Sequence, residues 1–267
     1  MSATKIVTYT GDFGCPRKFY NRYIAKLPSK PSIYFPLGNV PHKTLELFFK
    51  LNTYQSHEDY GDLRDAILKT HDDVWTQHEG ELKSFDLTPD QLQEYRTESV
   101  RMVLNWLHSF LKEDPKDLMP WIEQTVWVQD LKLMCRVDRA KKGKSPGVFH
   151  IIDYKTSKSN KMWKDTELQM IIQWICYHKQ TGNTRHKVGV HYLKYPDSPT
   201  FWAPTQAQID WALQKVDFVR KNTRSTDIKD YPCTCGGKCL KDFIQNGPSN
   251  QIHTPESQTE TKSPGTA

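Results

Sequence analysis

The chain has 267 residues, which suits one large domain or one domain with a small appendage. Hydrophobic residues at 37% and aromatics at 12% allow a core, and a net charge of +6 leans mildly toward a polyanionic partner while equally fitting an ordinary basic protein. No run of about 18 apolar residues occurs, and Met1 to Thr10 lacks the apolar centre of a signal peptide, so the expectation is a cytoplasmic protein with no membrane segment.

The first half reads as helical. Residues 16–27 carry aromatic and apolar side chains at helical spacing. Pro36-Leu37-Gly38 reads as a turn, followed by a helix over 45–51, and 61–79 is a weaker helix. The clearest helix covers 89–111. Thr88 and Gln91 have capping-box spacing, Pro89 sits at the first helical position, and Leu92, Tyr95, Val103, Leu107 and Phe110 mark one face.

The period then changes. Residues 125–129 and 131–137 read as paired strands around Asp130, and 148–154 as a third strand rich in Val, Phe and Ile. A helix over 166–179 is apolar on most sides, a strand follows at 187–195, and a helix over 205–221 opens on a second capping-box pair, Thr205 and Gln208. The order implies an α/β chain, a mixed sheet flanked by helices. The expected organisation is one domain over 1–245: a helical part at about 16–120, a core at about 121–223 and a cysteine-rich closure at 231–245. Residues 246–267 are rich in Ser, Thr, Pro, Gln and Asn and read as a disordered tail.

The chemistry centres on Ile151-Ile152-Asp153-Tyr154-Lys155-Thr156. Side chains two apart in a strand share a face, so Asp153 and Lys155 point the same way. A carboxylate there can hold a divalent cation, and an ammonium beside it can stabilise charge on a phosphate. An acid-x-Lys string begins at six positions, Glu81, Asp114, Asp130, Asp153, Asp227 and Glu260, but only Asp153 ends an apolar strand. Asp138 ends the preceding strand. Alone it reads as a partner for Arg136 or Arg139; with Asp153 and Lys155 it reads as a second metal ligand.

With Cys15-Pro16-Arg17-Lys18-Phe19-Tyr20, Gly38 to His42, Asp138-Arg139 and Asp153-Tyr154-Lys155-Thr156 in that order, the chain resembles the RecB-like nucleases of the PD-(D/E)XK superfamily, including their CRISPR-adaptation and AddB-type members. The resemblance spans roughly Cys15 to Cys239. It implies a DNA exonuclease in which His42, Asp138, Asp153 and the Tyr154 carbonyl ligate Mg²⁺ or Mn²⁺, while Lys155 positions the attacking water. It also implies a helix carrying Gln-x-x-x-Tyr. Gln169 stands at the expected place, with Gly182 at the usual distance beyond; Gln173 with Tyr177 matches literally one turn later. Cys135 stands where the family carries Gly. A catalytically silent DNA-end-binding module and an endonuclease of the same superfamily are the competing readings. The former would have lost a member of the set His42, Asp138, Asp153 and Lys155, and the latter lacks the Gly-x-x-x-His and Cys-Pro features.

Candidate DNA contacts are Arg17, Lys18, Arg139, Lys158, Lys161 and Trp163; the loop 155–164 reads equally as a solvated charged stretch. Cys233, Cys235 and Cys239 fall within seven residues. By the resemblance, Cys15 joins them around a [4Fe–4S] cluster, with Zn²⁺ as the alternative, although the last spacing is tighter than the family's usual one. Cys135 and Cys176 read as buried thiols. No Gly-x-x-x-x-Gly-Lys loop is present, so unwinding would need a helicase or recombination partner.

Overall fold

The computed structural model describes residues 1–55, 59–113, 121–143, 145–197 and 199–244; the expected tail over 246–267 lies outside them. Helix α1 spans Ala3–Thr10. Helix α2, Pro16–Phe19, continues as a π-helical turn over Tyr20–Ile24. Helices α3 (Tyr34–Lys50), α4 (Tyr60–Lys83) and α5 (Pro89–Phe110) follow. Strands β1 (Trp121–Val128), β2 (Leu133–Lys142) and β3 (Phe149–Lys155) precede α6 (Lys164–Thr181). Then come β4 (Lys187–Tyr192), β5 (Thr200–Trp202) and α7 (Gln206–Asn222).

The five strands lie in chain order in one sheet. β3 and β4 pair in parallel and all other neighbours pair antiparallel, so the sheet is mixed. Helix α6 makes the crossover between the parallel strands, because a parallel pair cannot be closed by a tight turn. Both capping boxes form: Thr88 with Gln91 at α5, and Thr205 with Gln208 at α7. Gly182 ends α6 at φ +70, a left-handed cap that suits glycine.

Two apolar layers cover the sheet. On one side, Ile6 of α1, Ile171, Ile172 and Ile175 of α6, and Val216 of α7 pack on Val126, Val137, Ile151 and Val188. On the other, Phe48 and Phe49 of α3 and Trp106 and Phe110 of α5 pack on Ile152, Tyr154 and Leu193. Cys135 and Cys176 are buried thiols in the first layer.

The structure corrects several expectations. Pro36-Leu37-Gly38 is no turn: it lies inside α3, which also admits Pro41. Pro36 falls in the first turn, where a missing N–H costs nothing, whereas Pro41 leaves the Leu37 carbonyl without its helical donor. His42 therefore lies mid-helix. α1 was not anticipated; its segment, rich in Thr and other β-branched residues, is a weak helix former held by burial of Ala3, Ile6 and Tyr9 and by the Ser2 cap. The three-residue β5 was also missed. β2 runs four residues beyond Asp138, so Asp138 lies within the strand instead of ending it.

Candidate active site and cysteine centre

Side-chain alternation in β2 breaks at Asp138. Val137 packs in the α6 layer, Arg139 packs in the opposite layer between Phe49 and Phe110, and Ala140 returns to the α6 layer. Such a local break lets a strand aim one side chain differently from its neighbours. Asp138 Oδ2 accepts the Tyr154 backbone N–H at 2.6 Å, and neither Arg136 nor Arg139 is its partner among the described ion pairs. Arg136 instead holds Glu123 at 2.5 Å. Arg139, 1% exposed, makes a two-pronged pair with Glu113 at 3.2 and 2.6 Å. Its burial corrects the expectation that Arg139 contacts DNA.

Asp153 and Lys155 share a face of β3, and Lys155 Nζ lies 2.7 Å from Asp153 Oδ2. Tyr154 points to the other layer, where its hydroxyl accepts the Trp106 indole N–H at 3.0 Å. From α6, Gln169 spans the pair: its amide donates to Asp153 Oδ1 at 2.7 Å and its carbonyl accepts from Lys155 at 3.0 Å. One turn on, Gln173 donates to the Arg136 carbonyl at 3.2 Å and reaches Asp153 Oδ1 at 3.3 Å. Of the two glutamines, Gln169 is thus the one that touches both the carboxylate and the lysine.

His42 completes the group from α3, with Nδ1 3.6 Å from Asp138 Oδ2. Gly38, one turn earlier, packs close to the end of β3: a methyl there would come 3.4 Å from Thr156 Oγ1. Together Gly38, His42, Asp138, Asp153, Gln169 and Gln173 line an open cleft of about 740 Å³.

Sequence reasoning missed Glu123. It sits between the paired positions Ile122–Arg139 and Gln124–Val137, hence opposite Asp138, with φ +52, a rare conformation for a non-glycine residue. Its carboxylate, the His42 imidazole and the Asp138 carboxylate each offer an atom within 4.8 Å of the others. No motif flags Glu123; only strand pairing brings it there.

Burial and neighbouring charge set the electrostatics of this group. Burial and then the neighbouring Asp153 charge hold the Asp138 carboxyl well above its ordinary range. Burial lowers the His42 imidazole, against the raising influence of Asp153. Burial likewise raises Glu123 despite Arg136. For Lys155 the carboxylates win: burial lowers it, but Asp153 and then Asp138 raise it more, so it stays an ammonium. Desolvated carboxylates facing one imidazole match the hard oxygen-rich donor set that Mg²⁺ or Mn²⁺ takes.

At the start of α2, Cys15, Cys233, Cys235 and Cys239 gather with all four Sγ atoms within 4.8 Å of one another. Backbone N–H groups point at three of the sulfurs: Thr234 to Cys15 at 3.4 Å, Gly237 to Cys233 at 3.3 Å and Cys239 to Cys235 at 3.1 Å. Burial raises the Cys15 thiol, but amides of Lys18 and Thr234 outweigh it and bring it to about 6. Burial and the neighbouring thiols push Cys239 up. Amides of Cys235 and Gly237 likewise outweigh burial at Cys233 and lower its thiol, and four sulfurs so placed suit a soft cation.

Arg17 and Lys18 belong to this closure. Arg17 donates to the Tyr231 carbonyl at 2.8 Å and Lys18 pairs with Asp242 at 2.6 Å. Both are engaged with the C-terminal segment. Lys158, Lys161 and Trp163 are exposed on the loop after β3, with the Lys161 ammonium 4.8 Å from the Trp163 ring centre.

The sequence profile of the PD-(D/E)XK nuclease superfamily matches residues 1–239. The chain belongs to that superfamily. Its fold is also that of the crystal structure of "Putative exonuclease" from Eubacterium rectale, with a TM-score of 0.51 at 12% identity over 94% of this chain and 90% of that one. No curated protein sequence matches the chain. Its α/β sheet flanked by helices is the superfamily's nuclease core, and among the described residues no helix is long and apolar enough to cross a membrane.

Proposed function

We propose that this nuclease is a metal-dependent DNA exonuclease of the RecB-like branch, acting at linear DNA ends in recombination, repair or phage DNA processing. One observation carries the reading: His42 from α3, Asp138 from β2 and Asp153 from β3 converge at one cleft beside the Lys155–Gln169 pair. His42, Asp138, Asp153 and the Tyr154 carbonyl would hold Mg²⁺ or Mn²⁺, with Glu123 close enough to join them. A bound cation supplies positive charge against the phosphate and makes water at the site more acidic. Lys155, kept charged by Asp153, donates toward the scissile phosphate as negative charge builds there. Gln169 fixes the Lys155 ammonium and the Asp153 carboxylate in one geometry. The Tyr154 N–H holds Asp138 in register with β3.

The four cysteines would hold a [4Fe–4S] cluster, with Zn²⁺ as the alternative, and staple α2 to the C-terminal segment. Protein purified without oxygen should be brown and bleach on oxidation; a colourless protein with about one zinc per chain would assign Zn²⁺. The mode of cleavage is tested on end-labelled linear and covalently closed circular DNA with Mg²⁺ or Mn²⁺. Linear DNA should be degraded from its ends and circles spared. Nicking of circles at a comparable rate would make the protein an endonuclease.

A further inference from the structure

Strands β1 and β2 lose their alternation on the same rung. In β1, Val126 and Val128 pack in the α6 layer, but Ile122, an even number of residues away, packs against the opposite layer with Phe48 and Trp106. The break falls at Glu123, at φ +52, across from Asp138, where β2 breaks as well. A non-glycine residue persists in that conformation only where its surroundings fix it. Both carboxylates thereby leave the two apolar layers and meet His42 in the cleft, each of the three offering an atom within 4.8 Å of the others. Glu46, also in the cleft wall, is buried and held by two lysines, Lys43 and Lys50. Glu123 has one partner among the described ion pairs, Arg136 at 2.5 Å, and the Arg136 side chain is 64% exposed in the same cleft. Gln173, 1% exposed, lines the cleft too. Its amide nitrogen faces two acceptors, and its Oε1 has no partner among the described residues. A buried acceptor of that kind suits a water held on a cation.

We infer that Glu123 is a ligand of the cleft's divalent cation and Arg136 its exchangeable partner, pairing with the carboxylate before the cation binds and turning to a DNA phosphate afterwards. The inference rests on the nuclease reading of the cleft; it adds a side-chain ligand to His42, Asp138 and Asp153, and a coupling between metal and DNA. A desolvated carboxylate needs a counter-charge, and a single ion pair with an exposed partner is weak beside what a divalent cation supplies. The cation can therefore displace Arg136, whereas two lysines keep Glu46 out of its reach. Once released, the guanidinium keeps its place on the cleft wall, and its planar fork suits two oxygens of a phosphate. Metal loading thus turns a closed ion pair into an anion-binding group, so cation and DNA each favour the other's binding.

The test reads Mn²⁺ directly on the full chain, through the loss of the free ion's electron paramagnetic resonance signal, with no DNA present. E123Q should weaken Mn²⁺ binding about tenfold or more, because a neutral amide replaces a ligating carboxylate. E123G takes φ +52 without strain and should show the same loss, which covers the case in which E123Q folds poorly. R136A should tighten Mn²⁺ binding about threefold, the strength of an exposed ion pair. Losing any positive charge near the cleft would do some of this, so R136A is repeated on E123Q, where the tightening should largely vanish. Fluorescence anisotropy on end-labelled linear DNA reads the second half, in the slowly cutting Lys155→Ala chain. There R136A should weaken DNA binding about fivefold with Mn²⁺ and leave it unchanged without metal. A tightening that persists in full on E123Q, or an equal DNA loss with and without Mn²⁺, would overturn the exchange. Unchanged Mn²⁺ binding in both E123Q and E123G would overturn the ligand role while leaving the nuclease reading intact. If wild type itself binds no Mn²⁺, the metal-dependent nuclease reading fails and this inference with it.

Discussion

At the sheet, Asp138 and Asp153 come from the adjacent strands β2 and β3, so ladder hydrogen bonds set their separation, and α3 and α6 bring His42 and Gln169 to them. At the closure, three of the four thiols come from one short segment, Cys233 to Cys239, and only Cys15 arrives from elsewhere. The first region gathers acids that repel each other inside a rigid scaffold. The second ties a loop to a helix start, with Tyr231 and Phe243 buried beside it. On the proposed reading, the contrast teaches that one cluster is arranged for chemistry and the other for cohesion. Removing a ligand should therefore cost activity at the sheet and stability at the closure.

The largest effect should come from Asp138→Asn. Losing a carboxylate that places a cation against the phosphate removes several kcal/mol, about 10³-fold or more in kcat. Asn keeps an oxygen for the Tyr154 N–H and removes the repulsion from Asp153. The metal-free variant should thus melt no lower than metal-free wild type. A large drop in its Tm, read by circular dichroism, would break the contrast by showing Asp138 to be structural.

Next is Lys155→Ala, which should lower kcat by about 10²- to 10³-fold while the Kd for DNA stays nearly unchanged, because its contact is made as charge develops. Single-turnover rates and fluorescence anisotropy separate the two quantities. A loss of affinity as large as the loss of rate would make Lys155 a phosphate anchor. Lys155→Arg should not rescue, since a planar guanidinium cannot occupy the point between Asp153 and Gln169.

Cys235→Ser should do the opposite. It should release the bound metal and lower Tm by roughly 10 °C, a few kcal/mol for a domain of this size. Activity at 25 °C should fall only a few-fold. Metal analysis and a thermal melt check this; an unchanged Tm would mean the closure holds nothing together.

The smallest effect is on acid stability, and it keeps protonation elsewhere from being mistaken for loss of either centre. Burial lowers His186 and His191 to about 4. Each is neutral in the fold but titrates at about 6.5 when unfolded. Their contribution is complete above about 6.5 and is lost as pH falls through about 4, because the unfolded chain takes up the protons first. The urea midpoint should drop over that window, as the unfolding free energy falls by about 1 kcal/mol per pH unit for each ring. A midpoint that stays flat from pH 7 to 4 would mean that neither ring is held neutral.

Much of the nuclease core was written locally. The capping boxes at Thr88 and Thr205 set two helix starts, because a hydroxyl and a carboxamide three residues apart satisfy the same end amides in any tertiary setting. The apolar run before Asp153 fixed β3, and strand alternation put Asp153 and Lys155 on one face. The cysteine spacing put Cys233, Cys235 and Cys239 together. Other features only the tertiary structure decided. Packing turned the Pro36-Gly38 turn signal into helix and held α1 together despite its residues. The break in alternation at Asp138 and the arrival of Glu123 opposite it arise from cross-strand pairing, which local spacing does not encode. Charge identity did not reveal that Arg139 is buried against Glu113, or that Arg17 and Lys18 are spent on the C-terminal segment. A cation's partner is chosen by whatever the fold brings within about 3 Å, and that distance is set by residues far away in the chain.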